Sequence, residues 1–401
     1  MPDAILTLNA GSSSIKLSMF EIAGPGDLTL CVKAELEEIG SHPHFTSWNQ
    51  AGVVLDDEPW LDAKASYDGL LNRLIDWATA RLGGHTLLAV GHRVVHGGAH
   101  YNHPEIVTAD LLASLDRLTP LAPLHQPHNL APMRAISAAR PGLVQVACFD
   151  TAFHHTMSPT ATRFALPQDY EAAGVRRYGF HGISYEFIAR RLRDVAPALG
   201  QGRVIAAHLG NGASLCAMKN GQSVDTTMSF TPLDGLVMGT RCGSIDPGVI
   251  LYLAQERGLS ITQIEDLLYK HSGLLALSGG ISSDMRALLQ SADPRAHQAI
   301  ELFVFRVVRE IGALTSTLGG LDGLVFTAGI GEHAAEIRAQ ICARLSWLGV
   351  VIEADGNAEN AMVISAPQST VRVFVIPTDE EAMIARHTLE AVNQLPNPRF
   401  R

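Results

Sequence analysis

The sequence predicts an α/β protein made of two halves of similar design, and three observations lead there. Short apolar runs of strand length alternate with stretches whose apolar residues recur at helical spacing. An Asn-small-small-Ser turn between two apolar runs occurs twice, as Asn9-Ala10-Gly11-Ser12 and as Asn211-Gly212-Ala213-Ser214, about half the chain apart. The chain has 401 residues, and a single core rarely grows past roughly 250–300.

The elements follow in order. Ile5 to Leu8 is a short apolar run, residues 9–14 are a Gly/Ser turn, and Ile15 to Phe20 opens with period-two alternation, so strand, turn and strand are expected. Tyr67 to Leu82 carries a helical stripe of Leu70, Leu71, Leu74, Ile75 and Ala78. Leu87 to Val95 reads as a strand, Ala109 to Leu118 as a helix ending before Pro120, and Val144 to Phe149 as a strand. Ser184 to Val195 reads as a helix with Ser184 as its N-cap. Val204 to Leu209 and Leu215 to Met218 flank the second turn, and Asn220-Gly221 after them signals a hairpin. Helices are expected over Ile261 to Lys270 and Ala296 to Leu318. A strand over Leu324 to Thr327 should run into a Gly-Ile-Gly-Glu turn, followed by a helix over Ala334 to Leu348. Val371 to Ile376 is the last strand and Glu380 to Val392 the last helix. No low-complexity linker marks a border, which topology alone puts near Asp150–Phe153.

Composition excludes several classes. Charged residues are 17% against a usual 25% or so, and hydrophobic residues 47%, which excludes a mainly disordered chain. A formal net charge of -10 argues against a nucleic-acid partner, since phosphate neutralisation needs a basic face. No apolar stretch approaches the ~18–20 residues of a membrane span, and the start MPDAILTLNAGSSS lacks the pattern of a signal peptide. Five scattered Cys without a CxxC pair suit a reducing compartment. A cytoplasmic protein with no membrane partner is the expectation.

Four Gly/Ser/Asn turns are expected to follow strands: residues 9–14, 210–214, 279–286 and 329–333. Small residues let backbone N–H groups approach an anion, and several such turns suit a polyphosphate. Lys16, just past the first turn, could reach a phosphate. None is a Walker A loop, and Gly329-Ile330-Gly331-Glu332 lacks the third Gly of GxGxxG. Arg93 and Arg241 stand in Gly- and His-bearing contexts, and Arg grips carboxylate or phosphate with paired hydrogen bonds, although a structural ion pair is the common use of a lone Arg. His92 and His96 have the i, i+4 spacing of a zinc motif, but Val94-Val95 favours a strand and the Glu base is absent, so zinc is not expected. Acidic candidates are Asp150, Asp284 and the Asp379-Glu380-Glu381 run, which could serve a helix dipole or a Mg²⁺ ion.

Together these residues resemble the acetokinase family over almost the whole length. Asn9 to Lys16, Gly179-Phe180-His181-Gly182, His208 to Gly212, Gly239-Thr240-Arg241 and Pro377 to Glu381 are similar to its motifs, in its order. The resemblance implies two duplicated actin-like ATPase (ribonuclease H-like) domains with an interdomain active-site cleft. The expected division is 1–152, completed by a C-terminal helix at 380–401, and 153–379. It implies reversible in-line transfer between ATP and acetate, giving ADP and acetyl phosphate, in a homodimer.

Position by position, the resemblance implies that Asn9 and Glu380 are associated with Mg²⁺ (or Mn²⁺). Ser12, Ser14, Lys16, His208, Leu209, Gly210, Asn211 and Gly212 then contact the nucleotide, as do Asp284, Met285, Arg286, Gly329, Ile330, Gly331, Glu332 and His333. Arg93 binds the acceptor, Val95, Leu124, Phe180 and Pro232 form its methyl pocket, Asp150 is the assigned acid/base, and His181 and Arg241 stabilise the transition state.

The sequence departs from the family pattern at His333, where Asn is frequent, and at Ser244, where Asp is common. The acceptor is a carboxylate with a pKa of roughly 4.3, already ionised at neutral pH, so the expectation is that Asp150 orients an Arg or a metal-bound water. Competing readings are a propionate or butyrate kinase, a non-catalytic ATP-binding module and a zinc hydrolase.

Overall fold

A computed structural model describes residues 3–11, 14–24, 26–60, 66–84, 86–123 and 125–395. Ser12 and Leu124, two of the expected site residues, lie outside the described residues. The chain forms two compact units, Met1–Ala152 with Asp379–Arg401, and Phe153–Thr378.

The first unit holds eight strands, β1 (Asp3–Ala10), β2 (Ile15–Gly24), β3 (Asp27–Glu37), β4 (His44–Asn49), β5 (Val54–Pro59), β6 (Thr86–Val94), β7 (Glu105–Ile106) and β8 (Val144–Phe149). They form one sheet in the order β5-β4-β3-β2-β1-β6-β8-β7. β1 pairs antiparallel with β2 and parallel with β6, which in turn pairs parallel with β8. β1 is buried at every residue from Ala4 to Leu8 because both of its faces are covered. On one face Leu6 and Leu8 join a core with Leu70, Leu71, Leu74 and Ile75 of helix Tyr67–Ala80 and Ile136 of helix Gln126–Ala139. On the other, Ile5, Phe20 and Ile22 pack with Ala385 and Leu389 of helix Glu380–Asn393. Gly91 in β6 permits that packing: a Cβ there would stand 2.2 Å from Thr388 Oγ1 and 2.7 Å from Ile384 Cγ2.

The second unit has β9 (Arg203–Leu209), β10 (Ala213–Lys219), β11 (Gln222–Thr226), β12 (Gly323–Thr327) and β13 (Arg372–Val375), in the order β11-β10-β9-β12-β13. β9 pairs antiparallel with β10 and parallel with β12, and β12 parallel with β13. This repeats the scheme of β3-β2-β1-β6-β8, direction for direction. Helix Gly182–Val195 buries Tyr185, Ile188, Ala189 and Leu192 against one face of this sheet. The 25-residue helix Pro294–Leu318, N-capped by Asp293 and closed by Gly319 at φ 71°, packs along β10.

The repeat is real, but its register differs from the sequence match. Ala10 and Leu209 end the corresponding strands, so His208 and not Asn211 is the counterpart of Asn9. Three other expectations change. Ser184 does not cap its helix: the chain enters through His181 in the left-handed region, and Ser184 Oγ bonds His208 Nδ1 instead. Residues 328–333 form a short helix rather than a turn, because the Glu332 carboxylate accepts the Ala328 N–H at 2.7 Å. The 279–286 segment follows the short helix Gly273–Leu277, not a strand. Among the described residues, no helix is long and apolar enough to cross a membrane.

Candidate active site

In the first unit the expected polar residues meet where β1 and β6 end. Arg93, next to last in β6, donates from Nε (3.0 Å) and Nη2 (2.5 Å) to Asp150 Oδ2 and from Nη1 (3.2 Å) to Asn9 Oδ1. The Asp150 side chain is 1% exposed and that of Arg93 21%. Asp150 Oδ1 is buried without a hydrogen-bond partner among the described residues. Glu380 opens its helix, with Asp379 as N-cap accepting the Ala382 N–H. Burial pushes the Glu380 carboxyl up to about 7, against the pull of Arg93, with Asp150 and Glu381 adding to the rise. Opposite Asn9 in the β1–β2 register stands Lys16, half exposed and 3.2 Å from Glu35 of β3. It is thus tied to a neighbouring strand rather than held out toward the turn. The turn itself is closed by Gly11 N–H donating to Ser14 O at 2.8 Å.

Sequence reasoning missed Asn129. From helix Gln126–Ala139 it donates to Ala10 O (2.7 Å) and accepts the Val95 N–H (2.9 Å), so it ties the end of β1 to the residue after β6. Val95, the expected pocket residue, is 6% exposed. Gln126 and Asn129, both buried, form a polar pair one helical turn apart on an otherwise apolar face. That pattern was the one available signal.

In the second unit His181 sits at φ 58°, a left-handed conformation that costs a non-glycine residue about 1 kcal/mol or more. The segment before it is held firmly. Gly179 (φ 81°) lies against the His154 ring, whose Nε2 donates to Phe180 O at 2.9 Å while Nδ1 bonds Ser223 Oγ at 2.8 Å. Burial pushes the His154 imidazole down to about 4, so it is neutral. Arg177 bonds Asp225 Oδ1, Ala161 O and Thr226 O. Phe180 is 1% exposed. His181 Nδ1 is 2.8 Å from Ser214 Oγ, and its ring stacks on His208 with centroids 4.2 Å apart.

Arg241 Nη1 donates to Pro232 O at 2.7 Å. Two glycines allow this crowding. A Cβ at Gly212 would stand 3.1 Å from Arg241 Nη2 and 3.3 Å from His181 Nε2, and one at Gly239 would fall 1.9 Å from Asn211 Oδ1. Ser244, the departure noted above, bonds Asp234 Oδ1 at 2.7 Å and accepts the Gly235 N–H, and so shapes the loop before Arg241.

The remaining expected residues are divided. Leu209 and Met285 are buried, so their side chains face the core. Asp284 caps its short helix through the N–H groups of Arg286 and Ala287, and Arg286 is largely exposed. Gly329 and His333 are exposed, Ile330 is half-buried and Gly331 buried. Glu332 Oε1 accepts both the Ala328 and Thr378 N–H groups. Beneath that segment Arg338, fully buried, spends all five N–H donors on the oxygens of Gly331, Glu332, Asn357 (main and side chain) and Asn360. Among the described residues it has no carboxylate partner, and burial lowers its pKa.

Two units of one ribonuclease H-like design, with glycine-bordered turns at their strand ends and arginines beside them, define the actin-like ATPase fold in its duplicated form. The helix that completes the first unit follows the second unit in the chain. The chain belongs to the acetokinase family, whose sequence pattern matches residues 4–386. It is 53% identical over 391 residues to an acetate kinase of Rhodopseudomonas palustris (strain TIE-1), covering 96% of this chain and 98% of that one. Its structure is similar to a propionate kinase from Francisella tularensis (TM-score 0.88, 36% identity, 97% and 99% covered). It is also similar to Porphyromonas gingivalis acetate kinase (TM-score 0.83, 36% identity, 97% and 99% covered).

Proposed function

We propose that this protein is an acetate kinase that transfers the γ-phosphoryl group of ATP directly to the acetate carboxylate, reversibly, giving acetyl phosphate and ADP. The observation that carries the reading is the fixed Arg93–Asp150 pair at the end of β6, in a chain 53% identical to an acetate kinase. Donor and acceptor are both anionic, so guanidinium groups are needed to let them approach. Arg93 is oriented by Asp150 and binds the acceptor carboxylate. Val95, Phe180 and Pro232 serve the acceptor's methyl group in this reading, as does Leu124, which lies outside the described residues. His181 and Arg241, both beside Gly212, donate to the equatorial oxygens of the transferring group, where charge stabilisation is the main catalytic demand. The turns at 9–14 and 210–212, with the segments 284–286 and 329–333, serve the nucleotide.

The donor set fits magnesium. Asn9 Oδ1, Glu380 and Asp150 Oδ1, which is unpartnered among the described residues, are hard oxygen donors of the kind magnesium takes. Asn9 and Glu380 would hold the ion, and its chemistry when bound is neutralisation of the donor phosphates. Asp150 serves Arg93 as an anchor, because the acceptor brings no proton to remove.

The same reading makes the enzyme cytoplasmic and homodimeric. Supporting a dimer, Tyr252, Ile261 and Trp347 remain exposed on the second unit.

The test is a hydroxamate assay of acyl phosphate formation with acetate, propionate and butyrate, each with ATP or GTP, with magnesium and with EDTA. Acetate with magnesium ATP is expected to give the highest kcat/KM. A higher value for propionate makes the enzyme a propionate kinase, and no acyl phosphate from any carboxylate overturns the reading.

A further inference from the structure

Two imidazoles in the second unit are pinned by hydroxyls to which the reading above gives no task. Ser214 Oγ lies 2.8 Å from His181 Nδ1 and 2.5 Å from Tyr185 Oη. Ser184 Oγ lies 2.9 Å from His208 Nδ1. Ser214, Ser184 and Tyr185 are completely buried, and the two stacked rings, 18° apart in plane, keep only 9% of their surface. His181 Nε2 faces the position of a Gly212 side chain, and His208 Nε2 that of a Gly210 side chain. Both rings therefore turn Nδ1 inward and Nε2 toward the Gly210–Gly212 turn.

A neutral imidazole carries one proton, and the partner of one nitrogen decides where it sits. Ser214 has one hydroxyl proton and two neighbours. If it donates to His181 Nδ1, Tyr185 O–H donates to the serine oxygen, and the ring proton is on Nε2, facing the turn. If it donates to Tyr185, the ring proton is on Nδ1 and a lone pair faces the turn. A phosphoryl oxygen at Gly212, beside Arg241 Nη2, accepts from Nε2–H and is repelled by a lone pair. We propose that Ser214, backed by Tyr185, is a positioning residue that holds His181 as the Nε2–H tautomer, so that a donor faces the transferring phosphoryl group. This rests on the phosphoryl-transfer reading. A hydroxyl suits the task better than a carboxylate, which would draw the proton to Nδ1.

Side-chain ¹⁵N NMR of the full-length protein labelled at histidine, with and without magnesium ADP, reads the tautomer, His181 being assigned by loss of its signals in His181→Ala. The expected result is Nε2–H in the wild type and a tautomer mixture in Ser214→Ala. In the acetate hydroxamate assay Ser214→Ala should lower kcat about ten- to a hundredfold, the range seen when the outer hydrogen-bond partner of a metal-bound histidine is removed, with KM values nearly unchanged. Tyr185→Phe should move both readouts the same way by less, and serves if Ser214→Ala does not fold. In a His181→Ala background, Ser214→Ala should add less than twofold. An Nδ1–H tautomer in the wild type, an unchanged tautomer and kcat in Ser214→Ala, or a full loss persisting without His181 overturns the proposal. If no carboxylate is phosphorylated by the wild type, it is the phosphoryl-transfer reading that fails, and the NMR result still decides the tautomer.

Discussion

Asp150→Asn keeps the shape of the acceptor end and removes one charge. Arg93 sends both Nε and Nη2 to the single oxygen Oδ2, at 3.0 and 2.5 Å, so an amide oxygen in that place retains both hydrogen bonds. What changes is their strength. Arg93 stays cationic, so its two bonds pass from ion–ion to ion–dipole contacts and remain charge-assisted; the lost attraction is of the size of one or two charge-assisted hydrogen-bond increments, about 1–4 kcal/mol. The gross attraction of two unit charges about 3 Å apart is about 5–6 kcal/mol at an effective dielectric of 20, which bounds the loss from above. At about 1.4 kcal/mol per tenfold, kcat/KM for acetate should fall roughly ten- to a thousandfold. In the hydroxamate assay the pH profile of kcat should keep its wild-type shape from pH 6 to 8, because no proton is taken from an ionised acceptor. In an Arg93→Ala background, Asp150→Asn should add little, since the two act as one unit. A kcat lower by more than about 10⁴-fold, with melting temperature and acetate KM unchanged and the same loss without Arg93, would refute the anchoring role, being of the size seen when a reacting group's own partner is removed.

Val95→Ala should raise the propionate/acetate ratio in kcat/KM by about tenfold or more, one methylene being worth about 1–3 kcal/mol in an apolar pocket; an unchanged ratio removes Val95 from the pocket. Gly179→Ala should lower the urea midpoint and kcat together, because the residue is at φ 81° and its Cβ would fall 2.6 Å from the His154 ring; overpacking of this kind costs about 1–3 kcal/mol, and a wild-type midpoint contradicts it. Stability should decline in mild acid. Burial lowers His92, His96 and His154 to about 4 in the folded chain. The unfolded chain, titrating near 6.5, therefore binds more protons between about pH 6.5 and 4, and each histidine withdraws roughly 2 kcal/mol by pH 5. Urea titrations at pH 7.5 and 5 check this, equal midpoints being the contrary outcome.

Much of the fold was legible because the local code is strong where it was read. Helix Ile261–Lys270 has the expected bounds, and Ser260 and Gln263 complete a capping box at its start. The stripe from Leu70 to Ala78 is the buried face of its helix. The failures have tertiary causes. Ser184 resembles a cap, but a buried histidine claims its hydroxyl. The Gly-Ile-Gly segment winds into a helix because Glu332 reaches back to Ala328 and Arg338 satisfies its carbonyls, which no local pattern reveals. Helix Gln126–Ala139 was hidden by Pro127 and Pro132, the first tolerated in an opening turn and the second inside the helix. At the site, residue types such as Arg93, Asp150 and His181 were visible. The residues that brace them, Asn129 behind the ends of β1 and β6 and Ser214 with Tyr185 behind His181, were not, since a buried hydroxyl or amide is defined by what folds against it.

The helix Glu380–Asn393 covers Ile5, Phe20 and Ile22, and Gly91 leaves room for it. During synthesis those residues emerge early and their cover emerges last, after the whole of Phe153–Thr378. The second unit has all its strands in hand while the first still shows an apolar sheet face to the ribosome and its chaperones. Order of birth and order of completion are thus reversed, and the residue opening that late helix is Glu380: the nascent first unit gains the cover of one sheet face and the Glu380 carboxylate in the same late step.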